Sequence, residues 1–270
     1  MTQRDNDIHD TAVIQQGAVL GRGVTIGAYT VVGPEVTVSD NVFLGPHVVV
    51  EGKTNLGTGV QIYQFASVGA PPQDLSYQGE MTAVEIGKNT VVREAVTIHR
   101  GTDKGGGITR IGSNCMIMAY SHVAHDCQIG DHVIMANVAT LGGHVEIGNH
   151  AVIGGMCAIH QFCHIGEFAF MAGMSGTNKD IPPFTRYSGA RDGRLFGLNL
   201  VGLRRGGFSK DDIRALKDAY RIIFQKAQTI AEGVQEAQEQ FGQIPMVAKF
   251  LKFIVESKRG IPPASMKEEE

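Results

Sequence analysis

The sequence predicts an all-β solenoid, a parallel β-helix wound from hexapeptide repeats, followed by a small C-terminal α-helical domain. Three observations predict it. An aliphatic residue recurs at every sixth position between Ile14 and Met171, with two interruptions. A small or β-branched residue stands two places before each of them. Near residue 190 the rhythm stops and apolar residues take helical spacing, which divides the chain into residues 1–190 and 191–270.

The first series runs Ile14, Leu20, Ile26, Val32, Val38, Leu44, Val50, Leu56, Ile62 and Val68, and its partners run from Ala12 and Ala18 to Val60 and Ala66. Neither the 3.6-residue period of an amphipathic helix nor simple alternation fits six. Glycine often follows the aliphatic (Gly21, Gly27, Gly33, Gly45, Gly57, Gly69), and small partners let the backbone turn tightly around a narrow core, where glycine can also supply positive φ. Ile86, Val92 and Ile98 rejoin in phase, so residues 70–83 are expected to loop out of the coil. A second interruption, residues 99–108, contains Gly101, Gly105, Gly106 and Gly107 and shifts the phase by one. From Ile111 to Met171 the count does not miss.

All four cysteines (Cys115, Cys127, Cys157, Cys163) fall in the small inward slot and are expected to be buried, reduced and inert. That usage suits a cytoplasmic protein. No apolar run is long enough to cross a bilayer, and the polar start Met1–Asn6 is unlike a signal peptide. With 24 basic against 27 acidic residues, nothing suggests nucleic acid as a partner. The terminal glutamates 268–270 read as a solvated tail.

In the C-terminal part, Ser209-Lys210-Asp211-Asp212 resembles a capping box and is followed by Ile213, Leu216, Tyr220 and Ile223. Thr229 and Glu232 form a second box, and a third helix is expected from Pro245 through Phe250, Phe253 and Ile254. These helices would cover the open end of the coil.

The chemistry is expected among the ten histidines. Residues 18 apart stack on neighbouring coils at the strand spacing of roughly 4.8 Å. His125 then lies beside Gly143, and Asp126 beside His144, with His122 and His160 on the same run. A neutral imidazole next to an exposed backbone N–H suits acyl transfer: the base takes a proton from a hydroxyl and the N–H steadies the oxyanion. His132, His150 and His164 are expected to be merely solvated. Two rival classes remain: a zinc enzyme with His122 and His125 among its ligands, as in γ-class carbonic anhydrases, and a non-catalytic scaffold. The loops and helices are unexplained by either.

The stretches Gln61–Gly69, Pro72–Leu75, Thr97–Thr102, His122–Cys127, Gly154–Met156, His160–Cys163, Phe196–Asn199 and Gly202–Arg205 resemble the UDP-N-acetylglucosamine O-acyltransferases of lipid A biosynthesis. The likeness runs from about His9 to Gly260. It implies a left-handed β-helix, a homotrimer with sites in the clefts between subunits, and transfer of an (R)-3-hydroxyacyl chain from acyl carrier protein to the glucosamine 3-position, without metal or bound cofactor. The donor carries its own phosphopantetheine. By resemblance His125 is the general base, Asp126 its orienting partner and the Gly143 N–H the oxyanion donor. Asp74, His122, His144, His160, Gln161, Asn199 and Arg205 are substrate contacts, and Gly173 is the chain-length stop, favouring longer acyl chains. Lys88, Arg93, Arg100, Lys104, Arg110, Arg204, Arg205 and Lys210 are candidates to dock the acidic carrier.

Three positions depart from the family pattern: Ser76 where many members carry lysine, Val201 for glutamate and Gly206 for arginine. A weaker nucleotide grip follows from the latter two. Loss of the lysine is compatible with an amino acceptor, since a fixed cation would repel an ammonium. A related N-acyltransferase is therefore the alternative.

Overall fold

A computed structural model of the chain describes residues 5–190 and 192–265; residues 1–4 and the glutamate tail lie outside the described residues. From Asp7 to Thr177 short parallel strands, most of two residues, are dealt in rotation onto three sheets. Asp7–Ile8 begins the first sheet, Val13–Ile14 the second and Val19–Leu20 the third. Paired residues stand 18 apart, as in His122 with Thr140 and Gln128 with Glu146, so every three hexads close one coil.

The inward aliphatics from Ile26 to Met171 are all buried, each contributing roughly 1.5–3 kcal/mol by leaving water. Ile14 and Leu20 are half-buried, because the first coil has no neighbour on its outer side. From Val24 on the small slots are buried too, and the four cysteines among them are free. Burial pushes the Cys127 thiol up to about 12 and the Cys163 thiol up to about 11, which leaves both protonated and unreactive.

Glycine is a minor source of positive φ at the turns of the coil. Of the glycines following the aliphatic, only Gly69 has positive φ. The left-handed residue instead stands one place before the small slot and is usually not glycine: Tyr29, His47, Phe65, Tyr120, Asp126, His132, His144 and Phe162 are examples. Glycine follows the aliphatic because the next coil is too close. A Cβ on Gly27 would lie 2.6 Å from the Pro46 nitrogen, and one on Gly57 2.8 Å from that of Lys88.

Both interruptions are loops. Across the first, Gln61 pairs with Val91, 30 positions on instead of 18, so it inserts twelve residues between the strands Ser67–Ala70 and Ala83–Ile86. Across the second, Thr97 pairs with His122, 25 positions on, so it inserts seven, including a 3-10 turn at Asp103–Gly105.

At the far end Thr185–Ser188 extends the first sheet and Arg194–Leu198 adds to it antiparallel. The division drawn at residue 190 thus falls in the turn of a hairpin, and helices start at Leu200. They are α1 (Leu200–Arg205), α2 (Lys210–Arg221), α3 (Ile230–Phe241) and α4 (Pro245–Glu256). Ser209 caps α2, Thr229 and Glu232 form the reciprocal box on α3, and Pro245 opens α4. α1 was not apparent in the sequence; its short pattern hides between Gly197 and Gly206. The helices pack on the last coils: Phe208 meets Phe168 and Phe184, and Lys249 of α4 pairs with Glu167 at 2.8 Å. Among the described residues no helix is long and apolar enough to cross a membrane.

Candidate active site

The corner between the second and third sheets gathers the chemistry. After the strand His122–Val123 the chain turns through Asp126, whose φ of 62° is a conformation that Asp tolerates better than most residues. The turn aims two consecutive side chains at each other: His125 Nδ1 lies 2.8 Å from Asp126 Oδ2. A carboxylate can only accept, so Nδ1 carries the proton and Nε2 of the neutral ring is left with a free lone pair. The Asp126 side chain is fully buried, and that of His125 is 13% exposed. The Thr109 hydroxyl accepts the Asp126 backbone N–H, and Thr102 reaches its carboxylate.

Gly143 lies under the imidazole. A Cβ there would be 2.5 Å from His125 Cε1 and 2.7 Å from Nε2, so the position needs glycine. Its N–H donates to no acceptor among the described residues. Gly143 is buried, however, where an exposed donor was expected, because the His125 ring covers it.

His144 stands beside Asp126, Nε2 to Oδ2 3.8 Å, edge-on to His125 and stacked on Phe162 with centroids 4.4 Å apart. His122 binds the Thr97 hydroxyl at 2.7 Å and meets His99 edge-on. Burial lowers the pKa of His122, with the charge of His125 adding to it. Burial also lowers that of His144. His99 falls furthest, to about 4, through burial and then the charges of His122 and His125. His99 is 6% exposed, and its Nδ1 has no hydrogen-bond partner. The row of imidazoles flanking His125 is thereby kept neutral near pH 7.

Asp74 comes from the first loop and lies within electrostatic reach of His125 and His144. The Ser76 N–H bonds to its Oδ1 at 2.8 Å and holds its carboxyl below the usual range. Arg100 ties this loop down, donating to the Gly69 carbonyl and the Tyr77 hydroxyl. His160 and Gln161 are exposed one coil further on. His160 lines a cleft of about 750 Å³ with Lys179, Tyr187 and Arg194, which does not include His125. Gly173 is exposed, its absent Cβ facing open space apart from the Gly155 carbonyl. Asn199 and Arg205 belong to the helical region. The Asn199 amide caps α1 and donates to the Phe168 carbonyl at 2.9 Å, so its side chain already has a structural use. Arg205 is exposed.

Sequence reasoning missed Thr102, His99 and Thr97, although all three stand in the stretch Thr97–Thr102. It also took His132, His150 and His164 as merely solvated. His132 and His150 stack at 4.6 Å and continue onto Phe168, and His164 approaches Glu146 at 3.5 Å. Of the basic residues, Arg93 pairs with Glu94, Arg110 with Glu85, and Arg100 is engaged as above.

His125, Asp126 and His144 offer donor atoms within 4.8 Å of one another. Within this set Asp126 Oδ2 already accepts from His125 and Thr102, so an ion bound through that oxygen would have to displace them. What the arrangement offers is a buried carboxylate, an oriented imidazole and an adjacent unused N–H.

Comparison with known proteins gives the family. Residues 180–262 match the family described as UDP-N-acetylglucosamine O-acyltransferase, domain 2, and residues 108–143 match the bacterial transferase hexapeptide family. An acyl-[acyl-carrier-protein]–UDP-N-acetylglucosamine O-acyltransferase of Thermodesulfovibrio yellowstonii is 47% identical over 95% of this chain and 99% of its own. One of Anaeromyxobacter is 46% identical over 94% and 98%. The solved structure of the UDP-N-acetylglucosamine acyltransferase from Campylobacter jejuni is 42% identical, with a TM-score of 0.91 over 96% of this chain and 100% of that one. On the fold, the corner chemistry and these likenesses together, the chain belongs to the UDP-N-acetylglucosamine O-acyltransferase family.

Proposed function

We propose that this protein transfers an (R)-3-hydroxyacyl chain from acyl carrier protein to the 3-hydroxyl of the glucosamine of UDP-N-acetylglucosamine, the first step of lipid A biosynthesis. The observation that carries this reading is the His125–Asp126 pair set against the Gly143 N–H. The names of the relatives supply the substrates.

His125 Nε2 takes the proton of the sugar hydroxyl as its oxygen bonds to the thioester carbonyl carbon. The Gly143 N–H receives the oxyanion, reached at the edge of the imidazole. As the C–S bond breaks, the imidazolium returns the proton to the departing thiolate. Asp126 stabilises the transient cation and holds the tautomer. The reaction is read as needing no metal or bound cofactor, because His125 supplies the base and the Gly143 N–H the oxyanion donor. His122, His144, His160, Gln161 and Asp74 are read as contacts to the sugar nucleotide or intermediate. Arg205 is read as a pyrophosphate contact and Asn199 as the residue that places α1 beneath it. The carrier docks on cations without an ion-pair partner among the described residues: Lys88, Lys104, Arg204, Arg205 and Lys210.

We read the coil as left-handed, a rare exception for parallel crossovers, on the support of the hexapeptide match. A homotrimer is supported by one corner of the prism, where Tyr29, Phe65, Tyr120, Val138, Met156 and Met174 are all exposed in a single apolar ridge. We place the enzyme in the cytoplasm, in keeping with its reduced thiols.

The test is acyl transfer from (R)-3-hydroxyacyl carrier protein to UDP-N-acetylglucosamine, with His125→Ala alongside. Wild-type turnover that survives chelator and collapses in the variant supports the reading. Activity confined to a 3-amino acceptor would replace ester formation by amide formation. Silence on both acceptors would end the proposal.

A further inference from the structure

The second loop interrupts the coil by seven residues and lands on one group, the Asp126 carboxylate. Thr102 Oγ1 donates to Oδ2 at 2.6 Å, and the Thr102 N–H donates to Oδ1 at 2.9 Å. The hydroxyl is itself oriented, because it accepts the Gly105 N–H at 3.2 Å and so turns its own proton toward the carboxylate. Oδ2 also accepts from His125 Nδ1. One line of hydrogen bonds thus runs from Gly105 through Thr102 and Asp126 to His125.

The space around the carboxylate says the same. A Cβ on Gly105 would fall 2.0 Å from Asp126 Cγ, and one on Gly101 2.7 Å from Oδ1. Both glycines sit where the loop must close over the acid, and both have their reason there. Thr102 is 4% exposed and the Asp126 side chain is fully buried, so water cannot replace a lost donor.

We propose that Thr102 is a positioning residue for the acyl transfer. Resting on the reading of His125 as base, it sets how much of the Asp126 charge His125 feels, and the loop 99–108 exists to deliver it. With two donors from Thr102, the carboxylate shares its density among three hydrogen bonds. Without the hydroxyl, Oδ2 turns wholly to His125, which favours the imidazolium and removes base at neutral pH. The other groups near His125 are His122, His144 and the neutral His99, with Asp74 contributed by the first loop and Lys104 lying within electrostatic reach of Asp74. Among the described residues none of these forms a hydrogen bond or ion pair with Thr102.

The experiment compares wild type, Thr102→Val and Thr102→Ser by 15N NMR titration of the His125 ring, and by the pH profile of kcat/KM. Thr102→Val is expected to move the His125 titration and the acid limb of the profile upward by about one pH unit, the tenfold effect of one charge-assisted hydrogen bond. KM for the sugar nucleotide should stay put, and Thr102→Ser should restore the wild-type profile. In an Asp126→Asn background the valine should cost nothing further. An unmoved titration in folded Thr102→Val would overturn the proposal. So would additive losses in the double variant, or a serine variant as damaged as the valine one. The NMR titration needs no substrate, so it decides this point even if wild type fails on UDP-N-acetylglucosamine and the proposed function falls.

Discussion

Acid should destabilise this protein through His99, and the size of the effect follows from the structure. His99 is 6% exposed, lacks a partner for Nδ1 and has its pKa lowered to about 4. In the unfolded chain it returns to about 6.5. Between those values the unfolded state binds the additional proton, so stability rises with pH there. The contribution is complete above pH 6.5 and is lost as pH falls toward 4. By linkage the loss is about 2 kcal/mol at pH 5 and approaches roughly 3 kcal/mol below pH 4. His99→Phe keeps an aromatic ring in the site and removes the proton. Overpacking shifts its stability by a constant amount, whereas the pH dependence shrinks. The assay is urea unfolding by circular dichroism for both proteins at one fixed concentration, at pH values from 4.5 to 7.5. Burial also lowers the pKa of His122, His144 and His150, so the variant keeps some slope. The wild-type minus variant difference isolates His99. If the two curves run parallel, His99 is not held neutral by burial and the electrostatic account of the imidazole row is wrong.

Gly143→Ala should lower kcat on the order of 100-fold, because the new methyl displaces the His125 ring by an ångström or so; steady-state kinetics with a thermal-melt control measures it, and an unimpaired enzyme would contradict the geometry. Ala95→Gly should raise the unfolding free energy by about 0.5–1 kcal/mol, since Ala95 holds φ 55° and glycine adopts it without strain; denaturant titration decides. Glutamate at both Phe65 and Tyr120, exposed on the apolar ridge, should convert the proposed trimer to monomer in sedimentation experiments. Gly173→Met should shorten the preferred acyl chain in competition between carrier-bound donors, and an unchanged preference would remove the chain-length assignment.

The inward residues of the coil could be read directly, because each aliphatic must fill the same narrow core and so repeats every six. Ile26 and Met171 obey one rule although 145 positions separate them. The stacking of His125 on Gly143 followed from the same period, since 18 residues return the chain to the same corner. The helix starts at Ser209, Thr229 and Pro245 were equally visible, as capping is local chemistry. α1 was hidden because it is short and lies between Gly197 and Gly206, and its cap, Asn199, is held in place by a bond to Phe168 across the end of the coil.

What the sequence by itself determined, then, is whatever repeats or caps: the winding, the buried slots and the adjacency of residues one coil apart. What only the tertiary structure decided is what the loops do after leaving that period. Thr102 and Asp126 are 24 residues apart, not the 18 that separate neighbours on adjacent coils, and the loop between them breaks the phase of the repeat. They meet because the loop folds back over the corner, where a buried carboxylate must find donors once water is excluded. The burial of Gly143 and the unpartnered nitrogen of His99 have the same origin: each depends on which side chain lies on top, and that is a property of packing in three dimensions.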